Sequence, residues 1–191
     1  MEDKKYITVF CGSNTGTKPS YITESKQLAK ALYDNQYHLM FGAGNVGLMG
    51  VIADEILALG GEAVGVIPQH LVDREVAHTG LTELIVTNTM HERKAIMAER
   101  TNGFIAMPGG IGTLEEIIEV MTWSQLDLHP YPVSFFNIDG YYDKLFDFMQ
   151  HMVDDGFLKQ VHIDKLILDS DPVRLVARIK EYEHEYVAKW L

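Results

Sequence analysis

Along the chain, short apolar runs alternate with longer stretches in which apolar positions recur every three to four residues. The first pattern fits a strand, the second an amphipathic helix. Residues 6–11, Tyr-Ile-Thr-Val-Phe-Cys, form the first run, followed by a glycine-bearing loop at 12–16. Ile22, Leu28, Ala29 and Leu32 place a helix over about 21–35, and the next strand spans 37–41. A helix over about 48–59 stops at Gly60-Gly61, since glycine readily ends helices. Residues 63–67 read as a strand closed by Pro68, whereas 69–81 is irregular. Then come strand 82–87, helix 89–100, strand 103–107, helix 113–128, strand 132–137, helix 141–155 and a charged helix over about 172–190. This alternation predicts an α/β fold, a three-layer sandwich with a central parallel sheet and helices on both faces. No repeat, low-complexity tract or linker interrupts it, so residues 1–191 are expected to form a single domain.

In such sheets ligands bind outside the carboxyl ends of the strands. Glycine-rich loops follow the strands ending at Cys11, Phe41 and Met107, so all three should meet at one sheet edge. Gly42-Ala43-Gly44-Asn45-Val46-Gly47 matches the dinucleotide pattern G-x-G-x-x-G. A dinucleotide site also wants an acid at the end of the next strand, and that strand ends Val66-Ile67-Pro68. The loop therefore reads as a tight strand-to-helix turn. No Gly-Lys-Ser or Gly-Lys-Thr tripeptide supports a P-loop.

Pro108-Gly109-Gly110-Ile111-Gly112-Thr113 is more specific. Its glycines allow close backbone approach, the unpaired amides of a helix start favour an anion, and Thr113 adds a hydroxyl. Thr113-Leu114-Glu115-Glu116 also fits a capping box, in which Thr113 and Glu116 satisfy each other's amides. Thr89 and Glu92 fit a second capping box. Arg93 and Lys94 then lie near a helix N-terminus, where the dipole disfavours cations. They are either ordinary solvated charges or converge on a bound anion. His91-Glu92 does not continue as H-E-x-x-H, because Ala95 replaces the second histidine. The eight histidines show no metal-ligand spacing, so no metal is expected. Cys11, Met97, Met121 and Trp123 read as core.

Composition narrows the partners. The net charge of −11 disfavours nucleic acid and anionic membranes but leaves room for a small phosphorylated ligand held by backbone amides. No apolar run approaches the ~20 residues of a membrane span, and the start lacks a signal-peptide form. With one cysteine, a cytoplasmic location is expected.

Met90-His91-Glu92-Arg93-Lys94 followed by Pro108 to Glu116 resembles the LOG ("lonely guy") family. Phe10-Cys11-Gly12-Ser13, Gly44-Asn45-Val46-Gly47-Leu48-Met49-Gly50 and Leu81-Thr82-Glu83-Leu84 extend the resemblance through nearly the whole chain, with Ala43 a departure in the second loop. The resemblance implies a cytokinin riboside 5′-monophosphate phosphoribohydrolase. Such an enzyme cleaves the N-glycosidic bond of N6-modified AMP, or of AMP itself, to free base and ribose 5-phosphate. The resemblance further implies a Rossmann-like fold, no cofactor or metal, and a homodimer with its interface near the sites. By motif, Arg93 and Glu116 correspond to the catalytic pair. Glu75, Arg93, Lys94, Gly110, Ile111, Gly112, Thr113, Leu114, Glu115, Glu116 and Thr122 correspond to substrate-binding positions. Glu116 would stabilise positive charge developing on the sugar, with Glu115 in support. Arg93 would hold the phosphate or assist the departing base. A rival reading is a nucleotide-binding carrier or regulator that performs no chemistry. A decarboxylase is rejected, because Lys94 beside Arg93 offers no Schiff-base setting for pyridoxal phosphate.

Overall fold

The computed structural model describes residues 4–72 and 77–185. Its centre is β1 (Lys5–Phe10), in which only Lys5 is exposed. Strands buried on both faces need unbroken apolar runs, and β1, β2 (Tyr37–Phe41) and β3 (Ala63–Pro68) supply them. With β4 (Glu83–Thr87), β5 (Phe104–Ala106), β6 (Val133–Phe136) and β7 (Ile167–Asp169) they form one parallel sheet in the order β4-β3-β2-β1-β5-β6-β7.

Alternation within each strand assigns side chains to two cores. Ile7, Val9, Leu39 and Phe41 meet helices α1 (Pro19–Asp34), α2 (Gly47–Ala58) and α8 (Pro172–Lys180). Tyr6, Phe10, Met40 and Phe104 face α4 (Met90–Glu99), α5 (Ile111–Gln125) and α6 (Asp143–Asp154). The expected three-layer sandwich is thus formed. Among the described residues no helix is long and apolar enough to cross a membrane.

The chain builds outward from β1 to β4, then returns to β5 beside β1 and builds the other way. That reversal opens a crevice between the loops leaving β1 and β5. The loop leaving β2 closes against the same place. Leu48 N donates to Gly12 O at 3.1 Å, drawing the start of α2 onto the β1 loop. Gly47 sits at this junction with φ +65°, and a Cβ there would stand 2.2 Å from the Ser13 carbonyl carbon. Only glycine satisfies both the left-handed backbone and the close approach.

Several boundaries differ from the pattern-based expectation. The irregular segment 69–81 contains a short helix, α3 (Gln69–Val72), and an antiparallel bridge between Ala77 and Gly44. Helix α6 starts at Asp143 rather than 141. The preceding turn is a 3-10 segment, Ile138–Gly140, tied by Tyr142 N donating to Asn137 Oδ1 at 2.7 Å. The pattern also missed α7 (Gln160–Asp164) and β7, elements too short to show a period. Helix α8 ends at Lys180, and residues 182–185 are not helical. Of the segment that follows, Glu181-Tyr182-Glu183-His184-Glu185, only Tyr182 packs against the core that holds Leu175, Val176 and Ile179.

The far edge of the sheet is fastened by Asp169 at the end of β7. Its buried carboxylate accepts from Arg174 Nε (2.7 Å), Arg174 Nη2 (2.5 Å) and the Asp171 amide (2.9 Å). Burial alone would raise its pKa, but these donors prevail and hold it below the ordinary carboxylate range. A depressed folded-state pKa contributes stability above the unfolded value of about 3.9 and loses it as pH falls through the folded value. Asp169→Asn is expected to lower unfolding free energy by about 1–3 kcal/mol at pH 7. The gap to the parent should shrink below about pH 4, as urea unfolding at both pH values will show.

Candidate active site

The crevice is stitched from backbone outward. Met107 N donates to Phe10 O (2.9 Å) and Gly12 N to Pro108 O (3.1 Å), locking the β1 and β5 loops edge to edge. Tyr142 Oη donates to Met107 O (2.6 Å) and Tyr141 Oη to Gly109 O (2.5 Å), fixing the second loop from α6's side. A Cβ at Gly109 would come 2.1 Å from Thr113 Oγ1 and 2.9 Å from the Gly12 amide, so this glycine is required by packing alone.

Helix α5 begins at Ile111 with Gly110 as its cap, and Leu114 N closes the first turn on Gly110 O at 3.1 Å. The capping box expected of Thr113 and Glu116 does not form. Thr113 is already inside the helix and buried, and the buried guanidinium of Arg93 takes the Glu116 carboxylate instead. No acid occupies the first turn of α5, so its amides face the crevice without a carboxylate among them. The box at Thr89 does form: Thr89 Oγ1 accepts from Glu92 N at 3.1 Å, while Glu92 Oε2 reaches one residue further back, to Asn88 N, at 2.8 Å.

That cap orients α4 so that Arg93 and Lys94 both turn inward. They are buried, not solvated, with 7% and 9% exposure. Nor do they converge on one point. Arg93 Nη2 donates to Glu116 Oε1 at 2.9 Å, and its Nε is a buried donor with no partner among the described residues. Lys94 Nζ lies 2.7 Å from Glu115 Oε1 and 2.9 Å from Glu119 Oε2. Burial would lower the pKa of Lys94, but these two carboxylates overcome it and hold it above its ordinary value. Neighbouring cations on one helix thus face apart because consecutive helical positions lie about 100° apart.

The resulting cleft holds about 360 Å³, within the ~300–1,000 Å³ range of small-molecule sites. Arg93, Gly110, Ile111, Gly112, Thr113, Glu115 and Glu116 line it. A Cβ at Gly110 or Gly112 would meet nothing within 4 Å, so the protein's own packing does not demand glycine there, whereas a ligand against the amides would. Ile111 is 81% exposed at the rim. The other resemblance-based positions are placed differently. Leu114 packs half-buried against the α4–α5–α6 core. Thr122 donates to Ile118 O of its own helix at 2.8 Å, and Lys94 reaches the cleft only through Glu115. Glu75 lies outside the described residues.

The substrate-binding positions implied by the resemblance did not include Cys11, Gly12, Ser13, Met49, Leu71 and Met90, which also line the cleft. Convergence of the three glycine loops pointed to Gly12 and Ser13, and Met49 and Met90 lie within the family-like segments; nothing marked Leu71. Burial, then the Glu116 charge, pushes the Cys11 thiol up, which argues against a thiolate nucleophile. Among the described residues, no group of three or more His, Cys, Asp or Glu side chains is placed to hold a metal.

Bare glycine amides beside a carboxylate–guanidinium pair, at the switch point of a parallel sheet, form a cleft of the Rossmann-like kind. Comparison with known proteins gives the family. The family model described as "Possible lysine decarboxylase" matches residues 49–179. The cytokinin riboside 5′-monophosphate phosphoribohydrolase LOG7 of Arabidopsis thaliana is 42% identical over 182 residues, covering 95% of this chain and 84% of that protein. LOG2 of the same plant, named for the same activity, is 41% identical over 92% of this chain and 83% of its own length. The chain belongs to this LOG family of phosphoribohydrolases. Among solved structures, the molybdenum cofactor binding protein of Rippkaea orientalis aligns with a TM-score of 0.70 at 20% identity, over 95% of this chain and 98% of its own, a likeness of fold alone.

Lys94→Met would strand the half-buried Glu119 and release Glu115. It is expected to lower stability by about 1–3 kcal/mol, less than a fully buried pair because Glu115 is half exposed. Urea unfolding measures the loss; an unchanged midpoint would show that Lys94 is not a clamp.

Proposed function

We propose that the chain hydrolyses the N-glycosidic bond of N6-modified adenosine 5′-monophosphates, releasing the free base and ribose 5-phosphate. The observation that carries this reading is the Arg93–Glu116 pair held at 2.9 Å in the wall of the cleft, beside the amides that open α5. A pure binder has no use for a carboxylate at the sugar, whereas N-glycosidic cleavage builds positive charge there.

In this reading the phosphate sits on the amides at 110–113, with the Thr113 hydroxyl beside them. Glu116 faces C1′. As the C1′–N9 bond breaks, its electron pair leaves with the base, which takes a proton. Water adds to C1′ and loses one. Glu116 stabilises the oxocarbenium character and orients the water. Arg93 fixes Glu116 through Nη2 and offers its unpartnered Nε to the nucleotide. Lys94 supports Glu115 from behind. Glu75, Leu114 and Thr122 are assigned to substrate binding by the resemblance alone.

The whole chain acts as one catalytic unit without cofactor, in the cytoplasm and as a homodimer with its interface near the sites. The exposure of Ile111 at one end of α5 and of Leu126 and Leu128 beyond the other end supports an interface there.

Glu116→Gln keeps the shape and removes the charge. It is expected to lower kcat for base release from N6-isopentenyl-AMP by 10² or more, while calorimetric binding of the same nucleotide changes by less than about fivefold. Near-parent turnover in that variant contradicts the assignment of Glu116. Tight binding with no release by the parent protein would favour a carrier.

A further inference from the structure

We infer that Gly42, the first residue after β2, is a positioning residue that sets where the Arg93 guanidinium lies. A Cβ built on Gly42 would stand 2.5 Å from Arg93 Nη2 and 3.4 Å from Cζ; Met49 Sδ, at 3.4 Å, is the next neighbour. Real Cβ atoms do not approach a heavy atom to 2.5 Å. The backbone at Gly42 is not in the left-handed region, so its conformation does not demand glycine. What demands glycine there is the guanidinium.

The nitrogen that rests against Gly42 is the one that donates to Glu116 Oε1 at 2.9 Å. Nη2 is therefore bounded by backbone on one side and held by a carboxylate on the other. Among the described residues the remaining guanidinium nitrogens find little further hold: Nη1 lies 4.0 Å from Met90 Sδ, and Nε has no partner. The α4–α5 packing brings Arg93 near Glu116, and the bare backbone at the end of β2 decides how deep it seats. Gly42 acts through Arg93 and touches no reacting atom. This inference rests on the reading of Arg93 and Glu116 as the catalytic pair.

The test uses Gly42→Ala, Arg93→Ala and the double variant. The far end of an arginine is flexible, so the new methyl should displace the guanidinium rather than unfold the chain. In a crystal structure of Gly42→Ala, the Nη2–Oε1 separation is expected to exceed hydrogen-bond reach, about 3.5 Å. With N6-isopentenyl-AMP, kcat should fall on the order of 10²-fold, as for an ångström-scale misplacement, with a much smaller change in KM. In the Arg93→Ala background, Gly42→Ala should cost nothing further, because the group it displaces is gone. If Gly42→Ala does not fold but the double variant does, the clash is with Arg93 and the inference stands. An unmoved guanidinium, an unchanged kcat, an equal loss in both backgrounds or a double variant that also fails to fold overturns it. If the parent releases no base, the functional reading fails, while the crystallographic separation still decides the role of Gly42.

Discussion

Two adjacent cations on one helix, gripped by three carboxylates on the next, are what the rest of the site depends on. Burying Arg93 and Lys94 between α4 and α5 is affordable only because Glu116 meets the first and Glu115 with Glu119 meet the second. Each contact constrains the others, since all five groups sit on two rigid elements. Rotate α5 by one residue so that Ile117 takes the place of Glu116, and the guanidinium loses its acid while Lys94 keeps a carboxylate only where Glu115 stood. The pairing therefore sets the rotation of α5 about its axis, and with it the direction of the amides at its first turn.

The sheet supplies the other half of the arrangement. Its order reverses between β1 and β5, so the chain leaves these neighbouring strands toward helices on opposite faces of the sheet, and the crevice lies at that switch point. Backbone hydrogen bonds, Gly12 to Pro108 and Leu48 to Gly12, bind three loops into one rim. The glycines then separate by purpose. Gly47 and Gly109 are needed so that the loops can touch, and Gly42 so that a side chain can pass. At Gly110 and Gly112 a Cβ would meet only open space, which fits a surface kept bare for a ligand. The bare helix-start amides and the carboxylate are neighbours without conflict, because the helix starts at Ile111 and Glu116 lies in its second turn, turned toward Arg93.

Much of this was legible in the chain itself. Strands β1 to β6 are apolar runs bounded by glycine, proline or charge, and the long helices show their period; β7, three residues long, shows neither. The glycine loops announced the crevice because each follows a strand. The start of α5 was misjudged for a physical reason: Thr-x-x-Glu satisfies a local rule, but a buried guanidinium 23 residues away competes for the same carboxylate and wins. Periodicity carries no information about such a partner. The Arg93–Glu116 pairing could be expected only through resemblance to the LOG family, and the separate carboxylate partners of Arg93 and Lys94 only from coordinates. Lys94, Leu114 and Thr122, assigned by the resemblance, are not among the residues that line the cleft.

The central claim is that one end of the cleft holds a 5′-phosphate while a carboxylate beside it serves the sugar. It is tested most directly by comparing kcat/KM for base release from N6-isopentenyl-AMP with that from the corresponding riboside. The account predicts ready release from the monophosphate and a loss on the order of 10³-fold or more for the riboside, since phosphate binding energy positions the sugar against Glu116. Equal rates from the two would contradict it.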